Sequence, residues 1–558
     1  MVEKFINSKW TKFLFALSVM VFVGLQIGFG SRNIVILNIL IAFALALFME
    51  YRYKVLGKLF EIKSKKYVFI SLPIATYTVI EIGKSFYSRW LLTFFSEYAR
   101  TGAIIHNLGA SEQFLSAALF MFSVLAGIVA LFAVFAVVYA IVSRFKKFAV
   151  MVWQGIEKLE RVYLIATVSI FSVFIAVVYS LSPIFWGDNT LPLGGIDFIF
   201  DFDVGNNIEF DAQFFGTRFG NIRRLYYPLV NLPFALAARA LGRILFFIPL
   251  AYIYFLQVFH IALMACGGIL LARMCNITGF SKKYFLVLYT ISYPFLVFSI
   301  PLERYILPTF CVILLMYISI HAPKAKFVAT LAAAGTLTTS VAVLPFVAYN
   351  RKIKTWILNF FKLGSGVVAI SILSGMLSII YNPIRSVLRD LNSFAGGVST
   401  GEKSLQFINF VGSIFVRPET TLRYRRCPVD DIDFLTYALA PPVSVNWIAV
   451  LLILFAIVGF IANRQSRIAQ ISFLWVAFAF FALFVMGWQA RENEMFLSSL
   501  YFGWAFFVLV FMFLEKLLEN HKTIKYAMYS AILIVMAVIN INGIIELVQF
   551  GIQHYPAR

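Results

Sequence analysis

Apolar runs long enough to cross a lipid bilayer recur from one end of this chain to the other. A hydrocarbon core about 30 Å thick needs about 20 apolar residues in helical form. Only helices and closed barrels satisfy their backbone polar groups there. The runs are continuous rather than alternating, which excludes the outer-membrane barrel pattern. The chain is 61% hydrophobic and only 13% charged, against about 25% charge in a soluble domain. These features predict an all-α, polytopic transmembrane helical bundle of about 13–15 membrane segments.

The net charge of +21 does not indicate nucleic-acid binding. The basic residues concentrate in short loops, as the positive-inside rule requires, so the expected surroundings are membrane lipids. The first apolar run, Phe13 to Phe29, follows Lys4, Lys9 and Lys12 and lacks a small-residue cleavage pattern. It reads as a retained helix. The four cysteines and five histidines are scattered without zinc spacing. No GxGxxG or GxxxxGK[ST] pattern occurs in a nucleotide-binding context, which argues against coupling to ATP.

Lysine and arginine bias assigns the sides, with a cytoplasmic N-terminus in a multi-pass inner (plasma) membrane protein. Residues 1–161 form an N-terminal four-span region, with spans near 11–29, 34–50, 67–85 and 113–142. The loop 51–66 has six basic residues and one acid, which marks it as cytoplasmic. Residues 162–381 form a second region whose first span, 162–182, leads into an outer loop, 183–225. Residues 226–242 read as a partial or interfacial helix, 244–274 as one long span, and 285–300 with 305–320 as a hairpin. The segment 327–349 is basic at both ends and polar at Thr336, Thr338, Thr339 and Ser340. That pattern suits a re-entrant pair of half-helices. A span at 357–380 leads to a long outer loop, 382–445. The C-terminal region, 446–558, holds spans near 446–462, 471–487, 496–514 and 526–545.

The outer loop 183–225 carries six acids against three arginines. Asp188 follows the preceding span by only a few residues, and Asp211 lies between aromatics in NIEFDAQFF. Either carboxylate at the membrane surface can take a proton from a sugar hydroxyl. It serves equally as one ligand of a divalent cation. Arg218, Arg223 and Arg224 close the same loop, and guanidinium groups hold phosphate through paired, charge-assisted hydrogen bonds. Two shorter outer tips add charge beside the membrane. One is Glu303–Arg304 between Pro301 and Pro308; the other is Arg491 and Glu492 in GWQARENEMF. Solvated loops and lipid-anchoring arginines account for such residues equally well.

From about 162 to 360 the pattern resembles the polytopic glycosyltransferases of GT-C architecture. It consists of a span, an acidic outer loop (WGDN to NNIEFDAQFF), YYPLVNLPFALAARALG, and a long apolar run ending in LARMCNITGFSKK. ISYPFLVFSIPLERYILP and TLTTSVAVLP follow. The four spans before this region, and the lack of a paired Asp-Glu in the first loop, depart from the usual arrangement. The resemblance implies transfer of a sugar from a polyprenyl-phosphate donor to a glycan or lipid-linked acceptor, in surface polysaccharide or glycolipid assembly. It implies Asp188, and after it Asp211, as base or metal-contacting residue. Arg218, Arg223, Arg224, Arg304 and Arg491 would hold the lipid-linked phosphate, with Glu303 and Glu492 auxiliary. The competing functions are a lipid-linked oligosaccharide flippase or transporter, which predicts ionisable residues inside the spans, and a surface-polysaccharide polymerase.

Overall fold

The computed structural model describes residues 155–186, 198–200, 227–245, 251–349, 352–373, 397–426, 433–491 and 493–557, with isolated positions elsewhere. The chain divides into two compact units. The first comprises Met1–Glu157, Gln213–Leu229 and Ser365–Tyr381. Within it, Lys12 lies over the Tyr51 ring at 5.1 Å and Phe13 meets Phe43 edge-on at 5.8 Å. Those contacts suit a hairpin of the first two predicted spans.

The second unit comprises Lys158–Ala212, Val230–Gly364 and Asn382–Arg558. Its helices in chain order begin with α1 (Lys158–Leu181), α2 (Tyr227–Ile244, whose first three residues belong to the first unit) and α3 (Ala251–Met274). There follow α4 (Gly279–Ile291), α5 (Tyr293–Phe298), α6 (Ile306–His321), α7 (Lys326–Thr336) and α8 (Leu344–Ala348). Next come α9 (Ile353–Leu373, completed in the first unit), α10 (Thr400–Ser413) and an antiparallel hairpin of β1 (Thr420–Arg426) and β2 (Asp433–Leu439). The unit closes with α11 (Trp447–Ala462), α12 (Arg467–Ala479), α13 (Ser499–Leu517) and α14 (Lys522–His554). Among the described residues six helices are long and apolar enough to cross a membrane, and shorter apolar helices accompany them.

Buried ion pairs fix one end of this unit. Glu160 opens α1 and is fully buried; Arg273 near the end of α3 (2.9 Å from Nε) and Lys282 in α4 (2.7 Å) both reach its carboxylate. Nearby, Tyr284 stacks on Tyr526 and its hydroxyl pairs with Ser530, bringing the start of α4 to the start of α14. Lys525 and Tyr529 meet Glu515 across the turn between α13 and α14. Residues predicted to share a side are thus gathered at one basic end.

Several helix boundaries differ from the hydropathy pattern. The expected span 285–300 is broken at Ser292, whose extended ψ of 142° precedes Pro294 at the start of α5. A helix end leaves its last carbonyls without intrahelical partners. Asn540 of α14 serves one of them, donating from Nδ2 to Ile291 O at 2.8 Å. α14 itself runs far past the expected end near 545, because its polar residues are engaged: Asn540 also accepts the Arg417 N–H, and Glu546 pairs with the Arg417 guanidinium. The long run 244–274 starts as a helix only at Ala251; the close approach of Gly242 to the Tyr252 backbone leaves no room for a side chain there.

The segment 326–348 turns back on itself. α7 packs along α6, a 3-10 turn follows over Thr338–Val343, and α8 returns. Lys326 at the start donates to Val347 O near the end at 3.0 Å. At the tip, Thr339 and Ser340 reach the Tyr501 hydroxyl, at 3.2 and 2.9 Å.

α10 is capped by Ser399, which accepts from the Glu402 N–H. It packs against α11 and α13. Beyond its end Phe415 stacks on Phe507 at 5.8 Å, deep in the bundle. Its Phe407 face borders an apolar cavity of about 450 Å³ shared with Phe480 and Phe484 of a π-helical turn, Phe480–Val485. That wider turn continues α12, where α-helical spacing alone is expected from the sequence.

Candidate functional site

The opposite end of the second unit collects segments that are far apart in sequence. Phe198–Phe200 of the acidic loop adds to the hairpin through a parallel bridge between Ile199 and Tyr437. The Phe200 N–H donates to Tyr437 O at 2.8 Å, and the Tyr437 N–H donates to Phe198 O at 2.9 Å. A free strand edge offers such unpaired groups, and the acidic loop uses them. The α14 terminus closes the other side: the Tyr555 hydroxyl bonds the Leu435 backbone, and Ser182 at the end of α1 donates to Tyr555 O.

Phe496 sits at the junction. Its ring lies 5.1 Å from Phe200, 5.6 Å from Tyr293 and 6.1 Å from Phe298. The two short tips singled out in the sequence also meet here. Glu303 and Arg304 are buried at 3% and 6% exposure, and the Arg304 N–H donates to Glu303 Oε1 at 2.8 Å. The next residue, Tyr305, accepts at its hydroxyl from Gln489 Nε2 at 3.3 Å, and Ser498 donates to Gln489 Oε1 at 2.6 Å. The turn holding Gln489 has three left-handed residues: Gly487, Gln489 and Asn493, at φ of 71°, 67° and 59°. Such conformations in non-glycine residues need support from their surroundings, which these side-chain bonds supply. Arg491 is exposed on the same turn. Glu303, Arg304 and Arg491 therefore belong to one neighbourhood. Asp188, Asp211, Arg218, Arg223, Arg224 and Glu492 lie outside the residues the structure describes.

Beside Phe496 opens a groove of about 340 Å³ between α10, the segment following β2 and the 493–496 turn. Gln406, Asn409, Asn446 and Asn493 line it, together with Arg417 and Glu419. Gln406 and Asn409 lie one helical turn apart, so they share a face of α10. Gln406 is buried and donates to Ala490 O, while its Oε1 has no hydrogen-bond partner among the described residues. Glu546 beside Arg417 holds the guanidinium firmly protonated, its pKa raised above the ordinary value by that bond. Burial pushes the Tyr437 phenol up, so it stays a neutral hydroxyl. Charge alone drew attention to acids and arginines in the sequence; the amide spacing along 406–409 was the available signal for this groove. Among the described residues no cluster of three or more His, Cys, Asp or Glu is arranged to hold a metal ion.

No family model matches this chain, and no curated protein or solved structure shows a significant match to it.

Proposed function

We propose that the protein is an integral membrane glycosyltransferase. It would transfer a sugar from a polyprenyl-phosphate donor to a glycan or lipid-linked acceptor at the outer membrane face, in surface polysaccharide or glycolipid assembly. The observation that carries this reading is the pairing of Phe198–Phe200 with Tyr437. It ties the acidic loop to the second long outer segment, at the end away from the Glu160 cluster. Asp188 or Asp211 takes the proton of the acceptor hydroxyl, whose oxygen attacks the anomeric carbon. The bond from that carbon to the phosphate oxygen breaks, and the phosphate departs with the electron pair. Arginines at the surface, among them Arg491, stabilise the charge that develops on it. The donor brings its own activated phosphate, so no nucleotide is consumed at that face.

Substituting Asp188→Asn and Asp211→Asn singly, and measuring surface glycan at equal protein level, tests this. Loss of product in either variant is expected; full product in both removes the catalytic reading.

One observation favours a flippase instead. His260 lies within α3, fully buried, and neither ring nitrogen has a hydrogen-bond partner among the described residues. Ionisable groups inside spans often mark translocation pathways. A carrier would lose lipid-linked sugar translocation in His260→Phe, whereas a transferase would keep its product.

A further inference from the structure

We infer that the groove between α10 and the 493–496 turn is a binding site for a neutral saccharide unit, and that it recognises hydroxyl groups through its carboxamides. Its volume of about 340 Å³ lies at the lower end of small-molecule sites, about 300–1,000 Å³. That holds a short saccharide unit, whether free or the end of a longer chain.

The lining chemistry selects the ligand. A carboxamide offers both donors and an acceptor, which matches a sugar hydroxyl that does both. Four carboxamide residues line one groove. Part of each of three is used to build the walls: Gln406 donates to Ala490 O, Asn493 donates to Ala440 O, and Asn446 Oδ1 accepts the Ala449 N–H. Gln406 Oε1 is left as a buried acceptor, at 3% residue exposure, with no partner among the described residues. That oxygen is closed off from the groove, so the amide left for a ligand hydroxyl is that of Asn409, half-buried on the same helix face. Phe410 and Phe496 add apolar surface to the same groove, suited to the C–H face of a sugar ring.

Charge argues for a neutral ligand. The Arg417 guanidinium is paired with Glu546, and Glu419 is the acidic group on the lining. A phosphate or uronate would meet one neutralised cation and a repelling carboxylate. Assigning the groove to the acceptor glycan rests on the glycosyltransferase reading; saccharide binding itself rests on the groove alone.

The full-length protein in nanodiscs, titrated with millimolar methyl glycosides of neutral hexoses, N-acetylhexosamines and pentoses, tests the site by saturation-transfer NMR. At least one glycoside should receive saturation, without displacement by inorganic phosphate. Asn409→Ala and Asn493→Gly should each weaken that binding about tenfold, the effect of roughly 1.4 kcal/mol of lost hydrogen bonding. Glycine accepts the left-handed backbone at 493, and position 409 is only half-buried, so both variants should fold. No saturation from any glycoside, or binding unchanged in both variants, overturns the inference. Saccharide binding lost in these variants alongside normal surface glycan in Asp188→Asn and Asp211→Asn would keep the site and reject the transferase. The reverse pattern would keep the transferase and reject the site.

Discussion

Asn540 and Arg417 are joined through the main chain: the Arg417 N–H donates to Asn540 Oδ1 at 2.8 Å, while Asn540 Nδ2 donates to Ile291 O and Phe415 O, each at 2.8 Å. One carboxamide on α14 thereby satisfies the broken end of α4 and the turn after α10. Asn540→Leu should strand these groups at about 1–3 kcal/mol each. A clear drop in the thermal unfolding midpoint in detergent is the expected outcome. An unchanged midpoint would show that these bonds add nothing net.

The Glu160 cluster makes a second prediction. Breaking a buried ion pair by removing one partner costs about 3–5 kcal/mol, because a charge is left without compensation. Glu160→Gln leaves Lys282 buried and Arg273 partly buried. It should lower folded yield and thermal stability strongly. Adding Lys282→Met should recover part of the loss, since the buried ammonium that had faced Glu160 is removed. A single variant as stable as the parent would refute the claim that this pair organises the basic end.

Gly459 lies where α11 crosses α13, and an added Cβ would run into the Leu509 carbonyl and the Phe513 side chain. Backbone cannot yield as a flexible side chain can, so Gly459→Ala should cost about 1–3 kcal/mol by overpacking. By contrast, an added Cβ at Gly364 meets nothing within 4 Å. Gly364→Ala should therefore leave the unfolding midpoint unchanged or slightly raised. The comparison of the two midpoints is the measurement.

Phe200 reads out the junction between loops. Its ring touches Phe496, Tyr293 and Tyr437, and truncating a buried phenylalanine costs about 3–5 kcal/mol when the cavity persists. Phe200→Ala should detach the acidic loop from the hairpin, which limited proteolysis would detect as new cleavage near 200. Protection equal to the parent would mean the backbone bridge alone holds the loop.

The sequence made the helical architecture legible because lipid demands long apolar runs and charge marks their ends. Glu160, Arg273 and Lys282 meet at the predicted common side, and α11 begins at Trp447 beside the expected boundary at 446. It hid features that depend on distant partners. The hydropathy dip around Asn540 and Glu546 suggests a helix end, yet Ile291, Phe415 and Arg417 satisfy it. The β1–β2 hairpin was equally obscure, since Pro428, Asp430 and Asp431 between RYRR and FLTYAL suit any polar loop as well as a turn. Glu303 and Arg304 stood out by charge and do lie at the loop junction. Gln406 and Asn409 did not, because amides are unremarkable until a groove places them side by side.

The doubled-back segment 326–348 bears on how many times the chain crosses a membrane. Lys326 and Val347 touch, so the chain makes no net passage between His321 and Ile353, and α9 departs from the end that α6 reached. Scoring 327–349 as a full crossing would invert every later segment and set the hairpin on the far side of the bilayer from Phe198–Phe200. The Ile199–Tyr437 bridge, which joins those two segments, argues against that. Reporters fused after Ala322 and before Ile353 should therefore light up in the same compartment.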